Sequence, residues 1–546
     1  MEITSDNFDA VFPHVEECIS KAAFIAFDFE FLGLHLNDAN RSSLFDSPAD
    51  RYAKHRAAVL NFPPSQLGIA TFSPSKGENA YKVDVFNIYL FKRLASRSVF
   101  SCSVSALTFL SNHDFDFNKF ISKGVSYANA DEMENVRRQM AHDEVDFENF
   151  GENFGALMTS LLTQTREILE KAKKEYEFKL DLPHGAVVTG VQRDLLIFAL
   201  RRKFDNAWFT LRGHELYCRR IARSKRRRWM LHDQSKARAL DGICGAGKIV
   251  HAIIDARVPL IGHNCLIDFL YLYQYLLADL PESYESWKRT FAQPFPVVFD
   301  TRLLATRNKD KLSLHGVNSY SLESLGTYFA QSVSASHFGR QQPDLRLSDA
   351  AKKRYQCGAH YHEAGYDALM TGQVFLRMAY FAALQSAKDR PAVQSWRQIL
   401  FAVRPLGNQL ALSMMSTPFV NLAGPDPVYK RPNTIIVRPI KWFGGRLNAG
   451  QLKRDLDAFG RGRCDVKVLS SRCALVATNT DVTYSRVFTF LSADEKYRIS
   501  TCLDDATKGL SSVCFNRSYV VGASIVCLMY VLKPLFLKAI ALRSQE

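Results

Sequence analysis

The chain has 546 residues, 47% hydrophobic and 23% charged, with 28 Gly and 19 Pro. That length accommodates about three to five domains, and the composition excludes both a wholly disordered chain and a fibrous one. Seventy Lys+Arg against 55 Asp+Glu leave a formal charge of +15, which points to a polyanionic partner, either nucleic acid or an anionic membrane.

The first residues, Met1 to Asp6, lack the basic and apolar runs of a secretory signal. The 11 cysteines are scattered and include no CxxC pair, so neither a disulfide framework nor a zinc site of that type is expected. A reducing cytosol is the expected compartment. Ala22 to Phe31 (AAFIAFDFEF) is apolar, aromatic and strand-like, and further strands are expected over 67–72 and 81–91. Residues 129–153 are acidic and polar and lead into a predicted helix over 154–178.

Residues 201–238 hold 13 Lys/Arg and three acids, a net +10, with Trp208, Phe209, Tyr217 and Trp229 among them. Cations neutralise phosphates and aromatic faces stack unpaired bases, so the mixture fits a single-stranded nucleic-acid surface. A solvated basic helix and a nuclear import signal at Lys225-Arg226-Arg227-Arg228 are the alternatives. Residues 249–280 predict helix, short strand (258–261) and helix again. Residues 332–348 predict a loop, and 422–432 a linker rich in Gly and Pro. After it come a strand (433–439), a helix (450–459) and two strands (466–469 and 474–478). This βαββ order resembles the RNA-recognition motif, without that motif's aromatics on the central strands.

Residues 519–532 (YVVGASIVCLMYVL) carry no charge. Continued to Leu542, the segment would be about 36 Å long as a helix at 1.5 Å per residue, enough to cross about 30 Å of hydrocarbon. Lys533 lies inside it, Pro534 should kink it, and Lys538 and Arg543 flank one end. A C-terminal transmembrane anchor over 519–542 is expected, with a buried C-terminal helix as the alternative.

Asp28 and Glu30 stand two apart on the first predicted strand, so both project from one face while Phe27, Phe29 and Phe31 occupy the other. Two unpaired acids on one sheet face repel, and a cation between them is the economical explanation. Asp268 lies on the helix after the strand-turn 258–264, where a third carboxylate can approach across the sheet. His362 and Asp367 would diverge by about 140° on one helix. They converge if His362 precedes the helix and Asp367 belongs to its first turn, an arrangement that suits a mobile base beside a fixed metal ligand.

Asp28-x-Glu30, Gly262-His263-Asn264-Cys265-Leu266-Ile267-Asp268 and His362-Glu363-Ala364-Gly365-Tyr366-Asp367 together resemble the DEDD exonucleases of the histidine subtype. Within these, the likeness is to the CAF1-type deadenylases and their poly(A)-specific ribonuclease branch. Arg51-Tyr52-Ala53-Lys54-His55-Arg56, Gln66-Leu67-Gly68, Phe115-Asp116-Phe117-Asn118-Lys119 and Asn421-Leu422-Ala423-Gly424-Pro425-Asp426 extend the resemblance to about residue 430. A membrane tail is similar to that of the branch's Trimmer-like members, which shorten piRNA precursors.

The resemblance implies an α/β fold with an RNase H-like exonuclease core in two parts, 1–154 and 246–425. The core would be interrupted by a basic helical nucleic-acid-binding insertion (155–245) and followed by an α+β RNA-recognition-like domain (430–505). Two departures stand out. The position of the deadenylase's cap-stacking tryptophan falls near Val468, and Arg228 with His232 only echoes the signature of the inserted domain.

The resemblance further implies that Asp28, Glu30, Asp268 and Asp367 hold two Mg2+ ions and that His362 is the general base. Phe31 and Leu34 would pack on terminal bases, and Asn264 would hydrogen-bond the strand. The implied activity is 3′-to-5′ trimming of piRNA precursors with release of 5′-mononucleotides; the alternatives are an mRNA poly(A) deadenylase and an inactive RNA-binding scaffold. Implied partners are a single-stranded RNA 3′ end, a Piwi-bound precursor, a Tudor-domain mitochondrial adaptor, the membrane and a second copy of the chain. The implied location is the mitochondrial outer membrane with the nuclease facing the cytosol, the alternatives being cytoplasm or endoplasmic reticulum membrane.

Overall fold

The computed structural model describes residues 1–501 except 38–39, 76–78, 93–98, 152, 172–175, 183–189, 331–341, 357, 387–394, 416, 429–433, 441–445 and 461. Contacts divide the chain into two units, Met1–Lys430 and Arg431–Glu546.

The first unit begins with β1 (Glu2–Ile3), α1 (Phe8–Lys21), β2 (Phe24–Phe31), β3 (Pro64–Pro74) and β4 (Ala80–Tyr89). Strands β2, β3 and β4 form an antiparallel meander, and β1 runs parallel to β4. The period-2 pattern of β2 sets the layers. Ile25, Phe27 and Phe29 join the core beneath α1, and Phe24 and Ala26 face the core on the other side. Helix α2 (Val104–Ser111) follows.

The insertion contains α3 (Phe154–Lys171), β5 (Glu177–Leu180), α4 (Gly190–Lys203), β6 (Ala207–Arg212), β7 (Glu215–Arg220) and α5 (Arg223–Met230). It is not the helical domain expected: β5, β7 and β6 form an antiparallel sheet in that order. The basic residues conceal an alternation in which Ala207, Phe209, Leu216 and Cys218 point inward, and Gly213 supplies the left-handed turn of the hairpin at φ 61°. The predicted helix over 154–178 accordingly stops at Lys171. The aromatics are also less available to bases than their composition implies. Phe209 is core, and Trp208 lies between Arg201, 3.8 Å above its ring, and Trp229. Helix α5, by contrast, has no buried residue.

The chain returns to the large sheet through α6 (Gly247–Ala256), β8 (Leu260–Gly262), α7 (Leu266–Leu272) and β9 (Val298–Asp300). Then come β10 (Asp344–Leu347), α8 (Ala364–Ser386), β11 (Gln409–Ala411) and β12 (Phe419–Asn421). The sheet order is β1-β4-β3-β2-β8-β9-β11-β12, with β10 also pairing β4. The loop expected over 332–348 therefore ends in a strand, parallel to β4, in which Leu345 and Leu347 turn toward the core while Asp344 and Arg346 face solvent. Helix α8 covers the Phe24–Ala26 face of the sheet.

The second unit contains β13 (Ile435–Pro439), α9 (Ala449–Asp457), β14 (Cys464–Ser470), β15 (Cys473–Thr478), α10 (Asp481–Ala493) and β16 (Tyr497–Thr501). Its antiparallel sheet has the order β14-β15-β13-β16. Leu452, Leu456, Val487 and Leu491 pack on Ile435, Val437, Ala474 and Val476. The predicted anchor over 519–542 lies outside the described residues. Among the described residues, no helix is long and apolar enough to cross a membrane.

Candidate active site

The acids at 28 and 30 continue the sheet face that Phe24 and Ala26 present to α8. A close backbone approach brings α8 to them. Asp28 pairs with Gly68 on β3, and a Cβ at Gly68 would lie 1.8 Å from the carbonyl oxygen of Ala364. The first N–H groups of a helix have no partner within it; here buried side chains take two of them. Gln66 Oε1 accepts from the Ala364 N–H at 3.4 Å, and Asn87 Oδ1 from the Gly365 N–H at 3.0 Å. Asp367 is thereby fixed in the first turn. His362 occupies the turn before it at φ 69°, and its backbone N–H donates to Asp367 Oδ2 at 3.0 Å.

Asp268 is positioned from the other side. Asp300, wholly buried at the end of β9, accepts from the backbone N–H groups of Asn264, Cys265, Arg302 and Ala411 at 2.9, 3.3, 2.9 and 3.0 Å. These bonds fix the β8–α7 loop, and Asp268 on α7 accepts from the Phe29 N–H at 3.2 Å. Glu30, His362 and Asp367 each offer a ligand atom within 4.8 Å of the others.

Glu30, Asp268 and Asp367 are buried, and Asp28 is half-buried. Burial first, then repulsion from Asp268, Asp367 and Glu30, raises the Asp28 carboxyl well above its ordinary range; burial and then Asp367 and Asp268 do the same to Glu30. Burial pushes Asp268 and Asp367 up to about 7. Among the described residues, none of the four forms an ion pair with Lys or Arg, and Asp367 Oδ1 is buried without a hydrogen-bond partner. Orphaned carboxylate oxygens of this kind fit a divalent cation. Burial, and then His113, lowers the His362 imidazole from its ordinary value, which favours the neutral form that can accept a proton.

These shifts have a testable sign. Unfolded carboxyls ionise near pH 4, whereas the folded, metal-free ones hold their protons to higher pH. The stability they contribute is therefore lost as pH rises toward about 7. A divalent cation must displace those protons at low pH, so it should raise Tm more at about pH 8 than at about pH 5.5. Scanning fluorimetry with chelator and with Mg2+ measures this; equal rises at both values would contradict it.

The structure brings Asp28, Glu30, Asp268, Asp367 and His362 together. Of the residues expected to touch substrate, Phe31 stacks on Tyr271 at 4.2 Å, Leu34 is exposed, and Asn264 sits at φ 53° with its Oδ1 accepting from Ser413 Oγ at 2.7 Å. Several contributors carry no role in the sequence reading. Gln66, Asn87 and Asp300 are buried polar groups in apolar strands, a signal that marks them. Gly68 is marked only by lacking a side chain. His113 and Phe109 flank the His362 ring at 4.2 and 4.6 Å, and the exposed end of α2 with the turn after it has no pattern of its own.

Four acids without a cationic partner converge at the end of a central strand beside the His362 imidazole, a grouping that could hold a divalent cation of the kind phosphoryl chemistry uses. Residues 3–375 match the CAF1 family ribonuclease pattern, and the chain belongs to that family. It is an exoribonuclease with the family's RNase H-like α/β fold. The chain is 28% identical to mouse "Poly(A)-specific ribonuclease PNLDC1" over 81% of its own length and 83% of the relative's. To Xenopus laevis "Poly(A)-specific ribonuclease PARN" the figures are 28%, 92% and 80%. To the Bombyx mori "Pre-piRNA 3'-exonuclease trimmer" they are 25%, 92% and 93%.

Proposed function

We propose that this exoribonuclease trims the 3′ ends of piRNA precursors by Mg2+-dependent two-metal hydrolysis, releasing 5′-mononucleotides. The carrying observation is the silkworm trimmer, which aligns with nearly the whole of both chains. In this reading Asp28, Glu30, Asp268 and Asp367 hold the ions, which when bound supply an activated water and neutralise charge at the scissile phosphate. His362 takes the proton of the attacking water. Phe31, already seated on Tyr271, and the exposed Leu34 flank the terminal bases, and Asn264 hydrogen-bonds the strand. Helix α5 and its basic neighbours track phosphates further along the RNA. The β-α-β-β-α-β unit after residue 431 serves as an RNA-recognition-like domain.

His362→Ala should slow hydrolysis by roughly 10²–10⁴-fold, the usual worth of a general base, and remove the near-neutral limb of the pH–rate profile. An unchanged profile would assign the proton to another group. The second reading, an mRNA poly(A) deadenylase, is favoured by the frog relative. Digestion of RNAs with defined 3′ ends, free and bound to a Piwi protein, separates the two: preference for the Piwi-bound precursor supports trimming, and preference for free poly(A) supports deadenylation.

The proposed location is the mitochondrial outer membrane, through residues 519–542, with a Tudor-domain adaptor and a second copy of the chain as further partners. The support is a segment of 24 residues without an acid. Deleting 519–546 should move the protein to the soluble fraction and leave its activity on naked RNA nearly unchanged. Full-length protein that washes off membranes in alkaline carbonate would remove the anchor.

A further inference from the structure

We infer that His14, Cys18 and Asp84 form a second metal site, for a borderline dication such as Zn2+, on the sheet face opposite the nuclease acids. The two faces are set by strand alternation. Asp84 shares its side of β4 with Phe86 and Ile88, which pack beneath α1, whereas Asp28 and Glu30 belong to the side covered by α8.

Helix α1 places His14 and Cys18 at i and i+4, one above the other on the same face. Cys18 Sγ lies 3.7 Å from His14 Nε2 and 3.9 Å from Nδ1. Tetrahedral Zn2+, with bonds of about 2.3 Å to sulfur and 2.0–2.1 Å to nitrogen, would hold those donors about 3.6 Å apart. Asp84 arrives from β4, and one donor atom from each residue lies within 4.8 Å of the other two. Cys18 and Asp84 are 6% and 4% exposed, while His14 lies toward the surface and opens on a cavity of about 450 Å³ that Asp84, Lys82, Arg346 and Ser348 also line. That cavity leaves room for water at a fourth coordination position.

A buried cysteine with only a packing role sits among apolar side chains; this one faces an imidazole and a carboxylate. Lys82 Nζ holds Asp84 Oδ2 at 2.9 Å, but its side chain is 52% exposed and free to turn outward when a dication takes its place. Burial beside Asp84 keeps the thiol protonated without metal, so binding exchanges that proton for the ion. The donor set also separates the two centres. Thiolate and imidazole select zinc-like ions, and the all-oxygen set at the nuclease acids selects harder ones. An ion here would tie α1 to β4, the strand whose Asn87 holds the first turn of α8.

Titrating the full chain with Co2+ tests the site through its thiolate-to-cobalt charge-transfer absorption. One equivalent should develop the band, Zn2+ should abolish it, and excess Mg2+ should leave it. Cys18→Ser should eliminate the band. His14→Ala, at a position toward the surface where folding is not at stake, should weaken cobalt binding by at least about tenfold. Cys265→Ser, beside the nuclease acids, should keep the band. No band in the wild type, or a band that survives Cys18→Ser, would overturn the assignment.

Discussion

Asp28→Ala should abolish RNA cleavage while leaving RNA binding nearly intact. Asp28 is the half-buried member of the acid cluster and the one that opens toward solvent, so its carboxylate joins the buried set to whatever approaches from outside. Removing it takes a hard oxygen ligand from the place where cation and phosphate would meet. In the proposed reading the phosphate contacts that hold the RNA would come from elsewhere, above all from residues 201–238 with their net +10. Single-turnover cleavage and filter binding, measured across a Mg2+ titration, read the two quantities separately. Parallel loss of both would contradict the division of labour.

Gly68→Ala should be nearly as damaging to activity, although residue 68 touches no substrate. The added Cβ would lie 1.8 Å from Ala364 O, 2.0 Å from its carbonyl carbon and 2.5 Å from Gly365 N. These are backbone atoms at the start of α8, so no side-chain rotation relieves the clash. Either β3 or the helix end must move, at about 1–3 kcal/mol or more. Displacing Asp367 and His362 by about 1 Å should cost on the order of 10²-fold in rate. Gly190→Ala, where the new Cβ meets nothing within 4 Å among the described residues, is the matched control and should be silent. A Gly68→Ala enzyme with wild-type rate would show that the first turn of α8 need not rest on β3.

The acids were legible because chemistry and periodicity conflict at them. Asp28 and Glu30 interrupt an apolar strand on one face only, and Asp268 and Asp367 open helices in motifs that make sense together. The apolar elements were legible for the ordinary reason that they are buried, as in β2 to β4 and the α6–β8–α7 run. What escaped was of two kinds. In the insertion, Lys and Arg at solvent positions swamp the period-2 burial of Ala207, Phe209, Leu216 and Cys218, and β10 is too short to show a pattern. In the site, the frame is made of contacts between distant segments: Gln66 and Asn87 on the end of α8, Asp300 across two loops and a strand, and His113 beside His362. Sequence separation hides such contacts, since a polar residue in an apolar strand marks itself and not the distant group that it holds.

Asp300 also bears on where the catalytic unit ends. One of its four N–H donors belongs to Ala411, on a strand laid down after α8, and Asn408 joins that strand to β9 through the Val298 amide. Beyond it, Asp426 takes Lys288 Nζ at 2.9 Å and Tyr284 Oη at 2.7 Å. The stretch that matches the family stops at 375, some thirty to fifty residues short of these closures. A chain cut at 375 would keep every side chain of the proposed site and lose the latch behind them, leaving the Asp300 carboxylate without its Ala411 donor and the β9 edge bare. The smallest fragment worth assaying therefore runs through Asp426, so that it carries the closures on Asp300 and β9 as well as the site.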